Sequence, residues 1–330
     1  MNGILVTGAT GGLGRNAVDF LVARGQRVTA TGRNPEKLAE LARLGISSHS
    51  ADLAESPLGK LVSEKSAIWH CAALSSPWGA HAAFHAANVT ASERLYMAAA
   101  EEGVPVFIHI STPALYFDFT HRQAIGEDFR PARYVNHYAA TKAIAESRLL
   151  ELARKHRDTR LVILRPRAIF GPHDQALFPR LLRLLQKRDG VLHLPRGGKT
   201  VLDLTYVENV VHAMWLATQR SVASGSIFNI TNDAPVSVAE ALQALFVEEM
   251  GQTLQIKALP YPLMAGVAAA MEGLAHLNGK EPLLTRYSLG ALAFDMTLDL
   301  TRAKELLGYA PTVTMPEAFR RTAQWINSHG

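Results

Sequence analysis

A chain of 330 residues can hold one large domain or two, and 48% hydrophobic with 19% charged residues is an ordinary globular composition. The net charge of +5 is mildly basic, but no run of Lys and Arg exceeds two residues, which argues against a nucleic-acid-binding protein. The single cysteine, Cys71, cannot form an internal disulfide, which favours a reducing, cytoplasmic location.

The N-terminal segment predicts a strand, a glycine turn and a helix. Residues 3–7 are a short apolar run, followed by Gly8, Gly11 and Gly14 at equal intervals. Such glycines let the backbone approach a pyrophosphate, and the helix N-terminus offers free N–H groups to the anion. The pattern predicts a dinucleotide site. Because the first strand begins so close to Met1, no signal peptide is expected.

The end of the second strand, predicted at 28–31, indicates which dinucleotide binds. NAD-binding turns place an acidic residue where this chain has Gly32, followed by Arg33. A guanidinium can pair with a 2′-phosphate, and Arg15 could assist it. We therefore expect a preference for NADP(H), while NAD(H) stays open if Arg33 is only a solvated loop residue. An aspartate at position 32 is expected to shift the preference towards NADH.

Strands and helices alternate up to about residue 165. The predicted elements after the second strand are a helix at 35–44, strands at 46–49 and 67–70, a helix at 82–102, a strand at 106–111, a helix at 138–156 and a strand at 161–164. Repeated βα units imply a parallel sheet with helices on both faces. The predicted fold class is α/β, a doubly wound parallel sheet or Rossmann fold.

Tyr138 and Lys142 share one face of the predicted helix at 138–156 because they stand four residues apart. A nearby cation lowers the pKa of a phenol below its usual value of about 10, so that it can exchange a proton with a carbonyl or hydroxyl group. The hydroxyls of Ser111 and Thr112, upstream, could hold the substrate oxygen. Considered alone, the pair could also lie on a solvated helix surface. The glycine turn at the N-terminus favours the catalytic interpretation.

Prolines and glycines become frequent after Pro172. Helices are predicted at 207–218, 238–249, 303–307 and 317–327. We expect a dinucleotide-binding domain at 1–171 and a smaller, mostly helical substrate domain at 172–330, with 203–232 returning to the first domain. The apolar segment 258–271 is too short to span a bilayer, so no membrane span is expected. For the alanine-rich segment 258–277, a helix over the substrate cleft is the favoured interpretation.

Several motifs together resemble a known family. They are the glycine turn at 7–14, Asp52-Leu53, residues 70–73, Asn88-Val89, Ser111-Thr112, the Tyr138–Lys142 pair, residues 164–172 and residues 203–210. With them the chain resembles the extended short-chain dehydrogenase/reductases of the NAD-dependent epimerase/dehydratase superfamily. Residues 75–79, 281–287 and 306–311 are similar to the 3β-hydroxysteroid dehydrogenase / 2-alkyl-3-oxoalkanoate reductase branch.

The resemblance implies catalytic roles. Tyr138 would be the general acid for ketone reduction and the base for alcohol oxidation, and Lys142 would also hold the nicotinamide ribose. Thr112 stands at the position of the family's catalytic hydroxyl, with Ser111 the rival, since successive strand residues point opposite ways. Asn88 matches the asparagine that ties a helix to the active-site strand; otherwise it is a helical surface amide.

The resemblance also implies binding residues. Those expected to contact the cofactor are Gly8, Thr10, Gly11, Gly12, Leu13, Gly14, Arg15, Arg33, Asp52, Leu53, Cys71, Ala72, Ala73, Tyr138, Lys142, Pro166, Ala168 and Ile169. Those expected to contact the substrate are Ser75, Trp78, Thr112, Ile169 and Phe178. Asp52 could instead cap the following helix. No metal is expected, because His81 and His85 share a helical face without a third ligand.

Three functions fit this pattern. The leading one is an NADP(H)-dependent oxidoreductase that interconverts a ketone and a secondary alcohol on a small molecule with an apolar, 3-oxoacyl- or steroid-like body. Apolar candidates facing the nicotinamide also include Leu181 and Met264. A nucleotide-sugar epimerase or dehydratase would need Arg180, Arg183 or Arg286 for the diphosphate. A non-catalytic NADP-binding sensor is the third. A homodimer is left open.

Overall fold

The computed structural model describes residues 3–174, 177–278 and 280–329. Its strands are β1 Gly3–Thr7, β2 Val28–Gly32, β3 Ser47–Ser50, β4 Lys65–His70, β5 Val106–Ile110, β6 Arg122–Ile125, β7 Arg160–Pro166, β8 Ile169–Phe170, β9 Val191–Pro195, β10 Val201–Leu202, β11 Thr205–Tyr206, β12 Ser226–Ile230, β13 Val236–Ser237, β14 Gln255–Leu259 and β15 Met296–Leu298. Its α-helices are α1 Gly12–Ala23, α2 Pro35–Arg43, α3 Gly59–Val62, α4 His81–Phe84, α5 Ala91–Glu101, α6 His137–Lys155, α7 Phe178–Gln186, α8 Val207–Gln219, α9 Val238–Leu242, α10 Tyr261–Asn278, α11 Arg286–Ala291 and α12 Met315–His329.

Seven parallel strands form the main sheet, in the order β12-β7-β5-β4-β1-β2-β3. The chain runs outward from β1 to β3 and then crosses to β4 on the other side of β1. Ligands of such sheets bind beyond the carboxyl ends of the strands, where the strand order reverses. The predicted α/β, doubly wound fold is confirmed.

The alternation of side chains along β1 divides the interior into two layers. Ile4 and Val6 pack into a cluster with α1 and α8, whereas Leu5 packs into a cluster with α3, α5 and α6. Because successive strand residues face opposite sides, a short run that is apolar throughout suits a strand covered on both faces. The layers fix the carboxyl edge of the sheet, where the glycine turn begins.

The predicted helix at 82–102 is not one continuous α-helix. A π-helical segment at His85–Thr90 separates α4 from α5. Further π-helical segments occupy Gln243–Glu249 and Ala303–Leu307, within predicted helices. Such insertions keep an apolar periodicity close to that of an α-helix, so the sequence pattern does not reveal them.

Residues beyond β8 build a second hydrophobic cluster from α7, α9 and α12. Beside it lie the parallel pair β9–β14 and the sheet β13-β10-β15-β6, short strands that the sequence pattern did not predict. Strand β12, within 203–232, lies at the edge of the main sheet. The domain boundaries stay a prediction. Among the described helices, none has the length and apolar character needed to cross a membrane.

Candidate active site

A cleft of about 650 Å³ opens at the carboxyl edge of the main sheet. Of the predicted cofactor residues, those that line it are Gly8, Thr10, Gly11, Gly12, Leu13, Gly14, Arg33, Asp52, Leu53, Cys71, Ala72, Ala73, Tyr138, Pro166, Ala168 and Ile169. Arg15 and Lys142 are not among its lining residues. Arg15 pairs instead with Asp19 on the next turn of α1, at 3.1 Å.

The glycine turn leaves room for backbone only. Gly8 has a φ of +65°, and a Cβ there would lie 2.8 Å from the Cα of Ala72. A Cβ at Gly14 would lie 2.1 Å from the carbonyl oxygen of Gly8. The turn therefore brings the start of α1 against β1, with its N-terminal N–H groups free for an anion. This geometry fits the pyrophosphate of a dinucleotide.

At the end of β2, Gly32 lies so close to Thr10 that a side chain has no free space there. This contact changes the expectation for an aspartate at position 32. A Cβ at Gly32 would lie 2.7 Å from Oγ1 and 2.9 Å from Cγ2 of Thr10. An aspartate at position 32 therefore collides with the glycine turn, so this single substitution cannot simply create an NADH site. Arg33 is 67% exposed at the rim, with Nη1 3.9 Å from Oδ2 of Asp52. Asp52 also accepts the N–H of Ala54 at 2.9 Å, as a cap would.

Tyr138 lies in the first turn of α6, which begins after Asn136 accepts the N–H of Ala139 at 2.8 Å. The Thr112 hydroxyl accepts the N–H of Ala114 at 3.1 Å and lies close enough to the phenol to act on its pKa. Ser111 also lines the cleft, but its hydroxyl is buried and has no hydrogen-bond partner among the described residues. Burial raises the pKa of Tyr138 to about 12, against the opposing effect of the nearby Thr112 hydroxyl. At neutral pH the phenol therefore holds its proton.

Lys142 lies one helical turn further on and is 1% exposed. Its Nζ donates to the carbonyl oxygen of Ile110 at 2.6 Å and lies 3.0 Å from Nε2 of His109. Burial lowers the pKa of Lys142 to about 8. The expectation that Lys142 lowers the pKa of Tyr138 is not met, because burial dominates at the phenol and the lysine charge acts mainly on His70, Cys71 and His109.

His109 and His70 were not predicted to belong to the site. Both are fully buried on neighbouring strands, with ring centroids 5.3 Å apart. His70 bonds through Nδ1 to the Thr7 hydroxyl at 2.8 Å and through Nε2 to the Ser92 hydroxyl at 2.9 Å. Burial lowers the pKa of His70 to about 3, so the ring is neutral. The sequence feature that could have revealed these two residues is a histidine within an otherwise apolar predicted strand.

Asn88 lies in the π-helical segment and is fully buried, so it is not a surface amide. Its Oδ1 accepts the N–H of Leu74 at 2.8 Å, and its Nδ2 donates to the Leu74 carbonyl oxygen and to the Thr141 hydroxyl, each at 3.1 Å. These bonds tie the loop after β4 to the helix that carries Tyr138.

A buried ion pair holds the same helix from its other side. Glu146, one turn beyond Lys142, accepts two hydrogen bonds from Arg165 on β7. Arg165 also donates to the Tyr116 hydroxyl and the Glu127 carbonyl oxygen. The position of Tyr138 and Lys142 over β5 and β7 is thus fixed by groups remote from the cleft.

The predicted substrate residues divide into two groups. Ser75, Thr112 and Ile169 line the cleft. Trp78 packs on His276 of α10, with ring centroids 4.6 Å apart, and is not a lining residue. Phe178 does not reach the cleft: it is 2% exposed and packs among aromatic rings of the second hydrophobic cluster, where an apolar ring at the start of α7 is buried.

The arginines that a nucleotide sugar would need lie elsewhere. Arg180 pairs with Glu281 at 3.6 Å and Arg286 with Glu272 at 2.7 Å, and both arginines are more than half exposed. Arg183 is exposed as well. Of the two further apolar candidates, Leu181 is half-buried against the second cluster and Met264 is half-buried on α10.

Comparison with known proteins agrees with this geometry. The model of the NAD dependent epimerase/dehydratase family matches residues 4–231. YbjS, an uncharacterized protein of Escherichia coli (strain K12), is 44% identical over 99% of this chain and 98% of its own length. A 2-alkyl-3-oxoalkanoate reductase of Stenotrophomonas maltophilia (strain K279a) is 33% identical over 96% of this chain and 97% of its own length.

A solved structure shares the fold. UDP-glucuronic acid 4-epimerase from Bacillus cereus in complex with NAD aligns with a TM-score of 0.78 over 98% of this chain and 96% of that chain. At 21% identity it is similar in fold alone. The chain belongs to the NAD dependent epimerase/dehydratase family and is an NAD(P)-dependent enzyme, an extended short-chain dehydrogenase/reductase of the 3β-hydroxysteroid dehydrogenase / 2-alkyl-3-oxoalkanoate reductase branch.

Proposed function

We propose that this chain is an NADP(H)-dependent oxidoreductase that interconverts a ketone and a secondary alcohol on an apolar, 3-oxoacyl- or steroid-like substrate. The observation that carries the proposal is that the protonated phenol of Tyr138 and the hydroxyl-bearing Thr112 line the same cleft as the glycine turn. A phenol that keeps its proton at neutral pH suits a general acid in ketone reduction.

Each residue then has a defined task in the reduction. The hydroxyls of Tyr138 and Thr112 donate hydrogen bonds to the substrate carbonyl oxygen and polarise it. Tyr138 gives its proton to that oxygen as negative charge develops there. Lys142 holds the ribose of the cofactor with its buried ammonium group. The nicotinamide, when bound, supplies the hydride from C4; the glycine turn and Arg33 would hold the phosphates.

The surroundings support an apolar substrate. Tyr287 lies close enough to influence the pKa of Tyr138, and its ring packs on Phe117 with centroids 5.8 Å apart. Phe294 and Tyr261 extend this aromatic group, with centroids 5.0 Å apart. A diphosphate would need paired cations, but Arg180 and Arg286 are engaged in surface ion pairs. The name of the 2-alkyl-3-oxoalkanoate reductase relative supports a 3-oxoacyl compound.

A substrate panel tests the proposal. We expect wild-type enzyme to consume NADPH, followed by the loss of reduced-nicotinamide absorbance, with 3-oxoacyl compounds or oxosteroids and not with UDP- or dTDP-sugars. In parallel, UDP and dTDP should leave the melting temperature unchanged. Interconversion of a nucleotide sugar without net NADPH consumption, together with strong stabilisation by UDP that Arg183→Ala removes, would show an epimerase instead.

A further inference from the structure

His109 is a polar residue within β5, a strand whose other residues are apolar. It follows Phe107 by two positions and so lies on the same strand face, which packs into the cluster with α3, α5 and α6. The ring is fully buried, and its Nδ1 has no hydrogen-bond partner among the described residues. Because an unpaired polar atom in the interior destabilises a fold, packing alone favours an apolar side chain at this position.

The other ring nitrogen of His109 has a partner in Lys142. Nε2 lies 3.0 Å from Nζ of Lys142, which also donates at 2.6 Å to the carbonyl oxygen of Ile110, the next residue of β5. Burial, followed by the charge of Lys142, lowers the pKa of His109 well below its usual value, so the ring is neutral. An ammonium only donates hydrogen bonds, so Nε2 accepts from it and the ring proton belongs to Nδ1.

These two neighbouring acceptors fix the direction of the ammonium group. Ile110 lines the cleft and Lys142 does not, so the ammonium lies behind the cleft wall and meets a bound molecule only through an N–H that is aimed at it. A lysine has a flexible stem and three rotatable N–H groups, so a single acceptor would leave Nζ free to turn. Once two N–H groups are engaged, the direction of the third is set.

We propose that His109 is a positioning residue for Lys142: together with the Ile110 carbonyl oxygen, its Nε2 engages two N–H groups of the ammonium and leaves the third directed at the cofactor ribose. The inference rests on the proposed function, in which Lys142 holds that ribose, and adds the residue that orients it. An apolar side chain in place of the ring would leave one buried N–H without an acceptor, which disfavours the charged form of the lysine.

Other ionisable groups surround Lys142 and are the same in every variant of the test below. Among them, Glu146 and Cys71 act electrostatically in favour of the charged lysine. The groups are Tyr138 and Glu146 on α6, His70 on β4, Cys71 just after β4, and Arg165 on β7, which is paired with Glu146. A change of pH dependence on substitution at position 109 therefore reports on the bond between His109 and Lys142.

The test compares wild type with His109→Leu, which removes the acceptor, His109→Gln, whose amide oxygen can replace it, and Phe107→Leu, a control on the same strand face. With NADPH and a ketone, the fall of kcat/KM at high pH should begin roughly one to two pH units lower in His109→Leu than in wild type. The affinity for NADPH at neutral pH should fall by about three- to tenfold in the same variant. His109→Gln and Phe107→Leu should behave like wild type in both measurements.

Two results would overturn the assignment: an unchanged pH profile and NADPH affinity in His109→Leu, or changes of the same size in His109→Gln or Phe107→Leu. If His109→Leu does not fold, histidine nitrogen NMR of wild type decides. The ring signals that are absent from His109→Gln should show a proton on Nδ1; a proton on Nε2 would overturn the proposal, because that nitrogen could not accept an N–H. If wild type reduces no ketone, the proposed function fails, whereas the NADPH titrations still test the role of His109.

Discussion

Lys142 carries its charge in a place that water scarcely reaches. Three N–H groups are available on its ammonium; one donates to the Ile110 carbonyl oxygen and a second faces His109. The third is left for the cofactor ribose in the proposed mechanism. Because burial penalises the charged form, the pKa of Lys142 falls to about 8 whereas that of Tyr138 rises to about 12. The lysine, not the tyrosine, therefore loses its proton first as the pH rises.

This order predicts the pH dependence of ketone reduction. The kcat/KM should be constant below neutral pH and fall as the pH rises through about 8, because deprotonated Lys142 has one N–H fewer to donate to the cofactor ribose. In Lys142→Arg the fall should move to higher pH, since a guanidinium stays protonated. Measurement of kcat/KM from about pH 6 to 10 in both proteins tests this prediction. If the midpoint of the fall is unchanged in Lys142→Arg, another group is responsible for it.

A second prediction at the scale of residues concerns Arg33 and the choice of cofactor. Arg33→Ala should weaken NADPH binding by about tenfold, the lower end for a charged contact because the side chain is 67% exposed, and should change NADH binding little. Titration of both cofactors, with exposed Arg43→Ala as a matched control, measures this. Equal losses for NADPH and NADH would show that Arg33 does not contact a 2′-phosphate.

At the scale of elements, the turn after β1 and the end of β2 constrain one another through Thr10 and Gly32. The Thr10 side chain fills the space that any side chain at position 32 would need. Gly32 was predicted to matter because it replaces an acidic residue, but its contact with Thr10 depends on how two turns meet in space. The order of residues along the sequence does not contain the distance between Gly32 and Thr10.

The contact predicts a coupled pair of substitutions. Gly32→Asp alone should destabilise the protein by about 1–3 kcal/mol, as overpacking does, and bind NADH poorly. Adding Thr10→Ala should restore stability and improve NADH binding, because the nearest remaining Thr10 atom, Cβ, lies 3.4 Å from the new side chain. Melting temperatures and NADH titrations of both single variants and the double variant test this; additive effects would contradict the coupling.

At the scale of the whole molecule, the sheet brings distant segments to one edge. The glycine turn, the Tyr138–Lys142 pair and the parallel sheet were predictable, because each rests on local periodicity or on a compact motif. The π-helical segment around Asn88 and the buried histidines beside Lys142 were not predicted. The periodicity of the π-helical segment resembles that of an α-helix, the histidines depend on which strands become neighbours, and the burial of Phe178 depends on how α7 packs into the second hydrophobic cluster.

The central claim is that Tyr138 donates the proton to a ketone while this chain holds NADPH. The most direct measurement is the rate of NADPH consumption with a 3-oxo substrate in wild type and Tyr138→Phe, combined with NADPH titration of both proteins. We predict that Tyr138→Phe binds NADPH like wild type and loses about 10²–10⁴ in rate. Turnover by Tyr138→Phe close to that of wild type would contradict the account.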